Sequence, residues 1–197
     1  GFIQSLDDKI SRYIPELEGS AYADVSVRQL LTMTSGVQWN EDYADPNSDV
    51  AKFNNHQPAD GQEALVSYMR QLPRDAAPGT RWLYSTGETN LVGTLVQRAT
   101  QKSLASYLSE KIWVPAGMEQ QATWILSKTG KEIGGCCVQA AARDLFSFSE
   151  KETKIVLRHR KEENNELFPF RSKSCEPWRR PFCDSSCRLC ILFPALQ

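Results

Sequence analysis

Helices dominate the fold predicted for the first 145 residues, with little strand. Three observations predict it. Apolar residues recur at three- and four-residue spacing in segments 60–72, 88–100 and 104–112. Cap-type residues such as Ser26 and Ser103 stand where periodic segments begin. Gly36 and Pro73 stand where such segments end.

Taken in order, residues 5–14 form a short helix or turn: Ser5 caps, Asp7 and Asp8 fill the first turn, and Pro15 stops it. Segment 26–36 is a cleaner helix. Ser26 caps it, Val27, Leu30 and Leu31 share a face, and Gly36 suits the left-handed position beyond its end. From 37 to 58 the chain is polar and aromatic, with Trp39, Tyr43 and Asp45-Pro46, and reads as a long surface loop of the kind that walls a cleft. Segment 60–72 is a helix with Ala64, Leu65, Tyr68, Met69 and Leu72 on its apolar face. Segment 88–100 is another, with Leu91, Val92, Leu95, Val96 and Ala99 inward, and Ser103 caps a third. Residues 122–126 suit a strand, and a last helix is expected from 138 through 145.

After Phe146 the texture breaks into a charged run and then a Cys/Arg/Pro-rich end without either period. The expected division is therefore 1–146 and 147–197. For the second part a frameshift-derived segment is the first reading, a disordered tail the second and an independent small module the third.

Composition narrows the function classes. A hydrophobic share of 41% with 24% charged residues is that of a globular protein. Net charge is −1, which gives no global field for nucleic acid, and no apolar run reaches the roughly 20 residues of a membrane span. Adjacent Cys136 and Cys137 read as small residues filling a tight spot. Four more cysteines lie in the last quarter, and the compartment, periplasmic or cytoplasmic, stays undetermined.

The chemistry-bearing segment is 78–93. A Pro-Gly turn leads into Trp82-Leu83-Tyr84-Ser85-Thr86, which presents a tyrosine and two hydroxyls just before a helix. Rival sites are weaker. Ser35 lacks a G-x-S-x-G elbow and sits at a helix C-terminus, where the dipole disfavours an alkoxide. His56 and His159 are linked to no serine by spacing. Cys183, Cys187 and Cys190, with Cys175 and His159, depart from paired zinc hooks, so no metal is expected. The Arg-rich stretch 171–180 reads as a solvated tail.

Four blocks, 1–17 (GFIQSLDDKISRYIPEL), 27–37 (VRQLLTMTSGV), 78–93 and 104–118 (LASYLSEKIWVPAGM), occur in an order that resembles the serine beta-lactamase and penicillin-binding-protein-like superfamily. Within it they look most like the class C-like esterase branch that includes 6-aminohexanoate-dimer hydrolases. The resemblance runs to about Leu145, where 140–145 is similar to that family's "TARDLARFG" helix. It implies an α+β beta-lactamase/transpeptidase-like fold, of which this chain supplies mainly the helical lobe. It also implies hydrolysis of a small ester or amide through an acyl-enzyme, without a cofactor. Such enzymes acylate a serine from an S-x-x-K helix, with a tyrosine sharing the proton transfers. The resemblance places Tyr84 at that catalytic tyrosine, Thr86 where Asn is frequent, and Trp39, Tyr43 and Trp82 at the cleft as substrate-binding candidates, with core or loop packing the equal alternative for each of these three. No serine stands three residues before a lysine here, which fits an N-terminally truncated fragment, inactive as given. A non-catalytic binding module and a non-functional gene fragment are the alternatives. Lys128-Thr129-Gly130 spells the family's third motif but follows Tyr84 too closely, and reads as turn chemistry.

Overall fold

The computed structural model describes residues 1–146 and the backbone of 188–190. It divides into two compact units, Gly1–Tyr107 with Ile125–Cys136, and Leu108–Trp124 with Cys137–Gln197. In the first unit two 3-10 turns, Ile10–Arg12 and Pro15–Leu17, precede α1 (Val27–Leu31). Ser26 and Gln29 form a reciprocal cap there: Ser26 Oγ accepts the Gln29 N–H at 3.2 Å, and Gln29 Oε1 accepts the Ser26 N–H at 2.9 Å. The helix ends after little more than one turn, because Thr32 Oγ1 bonds back to the Arg28 carbonyl at 2.8 Å and Met33 turns left-handed at φ 54°. Met33, not Gly36, therefore takes the left-handed position after the helix.

Gly36 does different work. It is left-handed at φ +73°, and a Cβ placed on it would meet the Ala76 carbonyl oxygen at 2.1 Å. Its own carbonyl accepts the N–H groups of Asp75 and Ala76, both at 2.9 Å. Segment 73–83 thus runs beside segment 33–38, through Gln38 N–H to Pro73 at 2.9 Å, Gly79 N–H to Thr34 at 2.7 Å and Leu83 N–H to Met33 at 3.0 Å.

The long loop contains a helix that the sequence reading missed, α2 (Asp49–Asn55), capped by Ser48. The next helix, α3 (Ala64–Met69), is shorter than the expected 60–72, because three-residue bonds to the Tyr68 and Met69 carbonyls tighten its exit. The longest helix, α4 (Thr86–Thr100), is capped by Ser85 and packs on α1, α2 and α3. Leu91 and Leu95 are fully buried, while Val92, Val96 and Ala99 keep partial exposure. Gly87 lets the first turn of α4 come close: a Cβ there would lie 2.6 Å from Met69 Sδ and 2.9 Å from the Trp39 ring. The core of this unit gathers Ile10, Ile14, Leu17, Leu30, Leu91 and Leu95 with Tyr22 and Trp39. A short helix, α5 (Leu104–Leu108), and a π turn, Ser109–Trp113, follow α4.

The second unit carries an antiparallel sheet of β1 (Thr123–Trp124), β2 (Val138–Ala141) and β3 (Arg188–Cys190), in that spatial order. The helix expected from 138 is therefore a strand first, and residues 142–146 are helical. Val138–Ala141 is paired on both edges, and those ladder bonds outweigh the helical leaning of its two alanines. Asp144 is buried, accepting the N–H groups of Glu119 and Gln120 at 2.8 and 3.0 Å. The described residues thus combine helices with a small sheet.

Cys136 and Cys137 are both disulfide-bonded, which corrects their reading as mere space-fillers. Expectations for 147–187 and 191–197, the zinc and Arg-rich readings included, lie outside the described residues. Among the described residues no helix is long and apolar enough to cross a membrane, and no acid/His/Cys cluster suits a metal.

Gly36→Ala should cost about 3 kcal/mol in urea unfolding, combining left-handed strain with the carbonyl clash. Gly19→Ala shares φ +73° but meets nothing within 4 Å, and should cost only about 1 kcal/mol.

Candidate active site

Tyr84 is set in place from both sides in the sequence. The preceding residue, Leu83, is held by its N–H to the Met33 carbonyl, and the following one, Ser85, caps α4 by accepting the Glu88 N–H at 3.2 Å. Tyr84 itself is half-buried, and its hydroxyl makes no hydrogen bond to any described residue. A phenol with a fixed backbone and a free hydroxyl is suited to accept and return a proton at a reacting oxygen.

Beside it stands a second group built on Glu41. Its Oε2 accepts the Thr86 N–H at 3.0 Å and the Trp39 indole N–H; its Oε1 accepts the Tyr43 hydroxyl at 2.8 Å and the Thr86 hydroxyl. Tyr43 also lies 3.2 Å from Thr86 Oγ1. Side-chain-closed turns at Asn40 and Asp42 fold this stretch so that Trp39 and Tyr43 both reach the Glu41 carboxylate. Glu41 stands at the N-terminus of α4, where the helix dipole favours a negative charge.

The sequence-predicted residues thus divide. Thr86 and Tyr43 meet each other next to Tyr84, and Tyr43 is largely exposed. Trp82 is exposed as well, two residues before Tyr84. Trp39 is a core residue at 6% exposure, packed edge-to-face on Phe53 and Tyr68. It reaches the site through Glu41 rather than by facing a cleft. The departure from Asn at Thr86 has a local account: its hydroxyl is spent on Glu41, so the residue anchors the loop to the helix.

Under the site lies a carboxyl that sequence reasoning missed. Glu88 is 2% exposed. Its Oε1 accepts the Ser35 hydroxyl, and the Tyr22 hydroxyl at 3.2 Å, while its Oε2 is buried without a partner among the described residues. Burial pushes Glu88 up to about 7, against the lowering effect of those two hydroxyls. Burial likewise pushes Tyr22 well up, helped by the Glu88 charge. An acid in a helix's first turn ordinarily signals an exposed dipole partner, so only the placement of α4 reveals this one. Ser35 is buried and donates to Glu88, in keeping with its rejection as a nucleophile.

His56 does approach a serine, with Nε2 3.1 Å from Ser67 Oγ. Ser67 however donates its proton to Gln62 Oε1 at 3.0 Å, so the imidazole is left as donor rather than base. Lys128-Thr129-Gly130 forms a tight turn, closed by Ser127 N–H to Lys131 O at 2.7 Å and Gly130 N–H to Ser127 O at 3.0 Å. That turn edges a cleft of about 490 Å³ with Glu16, Glu63, Arg98 and Lys131, whose charges are paired among themselves; Tyr84 is not part of its lining.

Comparison with known proteins matches residues 4–127 to the Beta-lactamase family. The chain is 31% identical to the 6-aminohexanoate-dimer hydrolase of Paenarthrobacter ureafaciens over 145 residues, which cover 69% of the chain and 36% of that protein. A Yersinia enterocolitica beta-lactamase is 28% identical over 75% of the chain and 40% of its own length. Among solved structures, a Bacillus anthracis protein assigned to the 6-aminohexanoate-dimer hydrolases superposes with a TM-score of 0.65 at 25% identity, covering 78% of this chain and 42% of that one. A class C beta-lactamase, 22% identical over 76% of this chain and 44% of that one, shares the fold with a TM-score of 0.53. The chain spans less than half the length of each of these relatives. On the residues that carry Tyr84 and the helices around it, the chain belongs to the beta-lactamase family.

Proposed function

We propose that this chain carries the tyrosine side of a serine hydrolase site that cleaves a small ester or amide through an acyl-enzyme. The observation that supports it most is the Tyr84 hydroxyl, unpartnered among the described residues, on a backbone pinned at Leu83 and Ser85. As the phenolate, Tyr84 takes the proton of the attacking serine while the serine oxygen bonds to the acyl carbon, and as the phenol it returns that proton to the leaving oxygen or nitrogen as the bond from that atom to the acyl carbon breaks. The exposed Tyr43 ring, tied to Thr86 and Glu41, flanks the acyl group, with Trp82 offering a second aromatic face. Likeness to the 6-aminohexanoate-dimer hydrolase favours a linear amide or ester over a beta-lactam.

A second reading, a binding module that keeps the cleft without chemistry, is favoured by one observation: the 197 residues hold no serine three before a lysine. A fluorophosphonate probe separates the two. Covalent labelling of the full-length gene product at a serine supports the hydrolase reading; no labelling of it supports the binding module.

In the labelled form, Tyr84→Phe should lower kcat for ester hydrolysis about 100- to 1,000-fold with KM nearly unchanged, because a proton carrier and little binding area is removed. Tyr43→Phe should do the reverse, raising KM about threefold to tenfold while leaving kcat within about twofold, as measured with the same ester.

A further inference from the structure

We propose that Glu88 is a positioning residue for Tyr84: its buried carboxyl is a proton-operated latch between the first turn of α4 and the segment around Ser35, closed when Oε2 carries a proton and loosened when that proton leaves to solvent. The proposal rests on the reading of Tyr84 as the catalytic tyrosine, but its test does not use catalysis.

The geometry carries it. Tyr84 precedes α4 by two residues, and Glu88 lies one helical turn further on. Among the described residues two polar ties hold the segment 83–88 to the segment 33–35. One is the backbone bond from Leu83 to Met33; the other is the Ser35 hydroxyl on Glu88 Oε1. Tyr22 adds a second donor to that oxygen from the turn before α1. Both donors therefore converge on Oε1, and Oε2 faces buried space without a donor.

An ionised carboxylate would leave half its charge density unsolvated there, at several times the cost of an unpaired neutral hydroxyl. Among the described residues no cation bonds to it. The groups on the carboxyl are the neutral hydroxyls of Tyr22 and Ser35. The nearest positive group in that network, Arg74, is used up on the Ser35 and Ala21 carbonyls and on Asp24. Gly87 is pressed against Met69 and Trp39, so the turn has no room to draw the carboxyl aside without opening. Relief comes by releasing Ser35 and letting water reach Oε2, which frees the first turn of α4 and the tyrosine before it.

The sign follows from burial. The folded carboxyl titrates at about 7 and the ordinary value is 4.5, so the unfolded chain ionises first. Stability from this group is whole below pH 4.5 and falls as pH rises toward 7. Local loosening of the latch grows as pH rises above the ordinary value of 4.5 and levels off once the pH passes about 7.

Hydrogen exchange of residues 83–89, corrected for the intrinsic pH dependence, tests this on the chain as it exists. The Leu83, Glu88 and Thr89 amides, bonded to Met33 and Ser85, are the reporters. Their protection should fall about tenfold between pH 6 and pH 8.5, while amides in the middle of α4 stay constant. Glu88→Gln, which mimics the protonated form, should abolish that fall, and Glu88→Ala should be loose at both pH values. Equal protection at both pH values in the unmodified chain, or the same fall in Glu88→Gln, overturns the latch. If Glu88→Gln does not fold, carboxyl NMR of the unmodified chain decides instead: a glutamate titrating near pH 7 in step with the loss of protection supports the latch, and none above pH 5.5 overturns it. A working latch together with an inert Tyr84→Phe substitution would leave the latch standing and remove the catalytic reading.

Discussion

Two carboxylates grip the first turn of α4, and the placement of the candidate tyrosine depends on them. Glu41 reaches in from the loop before α2 and takes the N–H and hydroxyl of Thr86. Glu88 points inward and takes the hydroxyls of Ser35 and Tyr22. Thr86 and Glu88 are two residues apart on a helix, about 200° around the axis, so the turn is tied on two different faces. The two acids differ in medium more than in chemistry. Glu41 is half-buried and fully bonded, and it stands where the helix dipole favours a negative charge. Glu88 is dry, and burial outweighs the same dipole and pushes it up to about 7.

The rest of the first unit supports this turn by backbone economy. Segments 33–38 and 73–83 run side by side but form only isolated bridges, not a regular ladder. The pairing starts at Gln38 and Pro73, passes Gly36 where it turns left-handed against Ala76, and ends at Leu83, immediately before Tyr84. Under it, Trp39, Phe53 and Tyr68 pack edge-to-face and support α2, α3 and the loop from one cluster. The Tyr84 side chain itself makes no hydrogen bond among the described residues, so its place is set by these neighbouring backbone bonds.

Much of this was legible locally. Ser26, Ser85 and the spacing from Leu91 to Leu95 announce α1 and α4, since caps and periodicity act within one turn. The 78–93 segment marks Tyr84 by its turn, aromatic and hydroxyl order. What escaped depended on distant partners. Ser48 with Asp49 is a cap signal inside a stretch read as loop, and α2 shows that a short helix can outlast a polar composition once Val50 finds a core. Val138–Ala141 became a strand because it was paired on both sides. Trp39 looked like a cleft residue because aromatic composition is the same for a wall and a core.

By itself the sequence determined the family, the main helices and their caps, because each is written in spacings of one to four residues or in ordered blocks. Only the tertiary structure decided which acids matter. Glu41 and Glu88 are ordinary residues in the chain, one in a loop and one in a helix's first turn. Their roles arise from hydroxyls and N–H groups 45 and 53 residues away, and from the removal of water around one of them. Solvation and long-range partners are properties of the folded chain, and a carboxyl's charge follows those and not its neighbours in sequence.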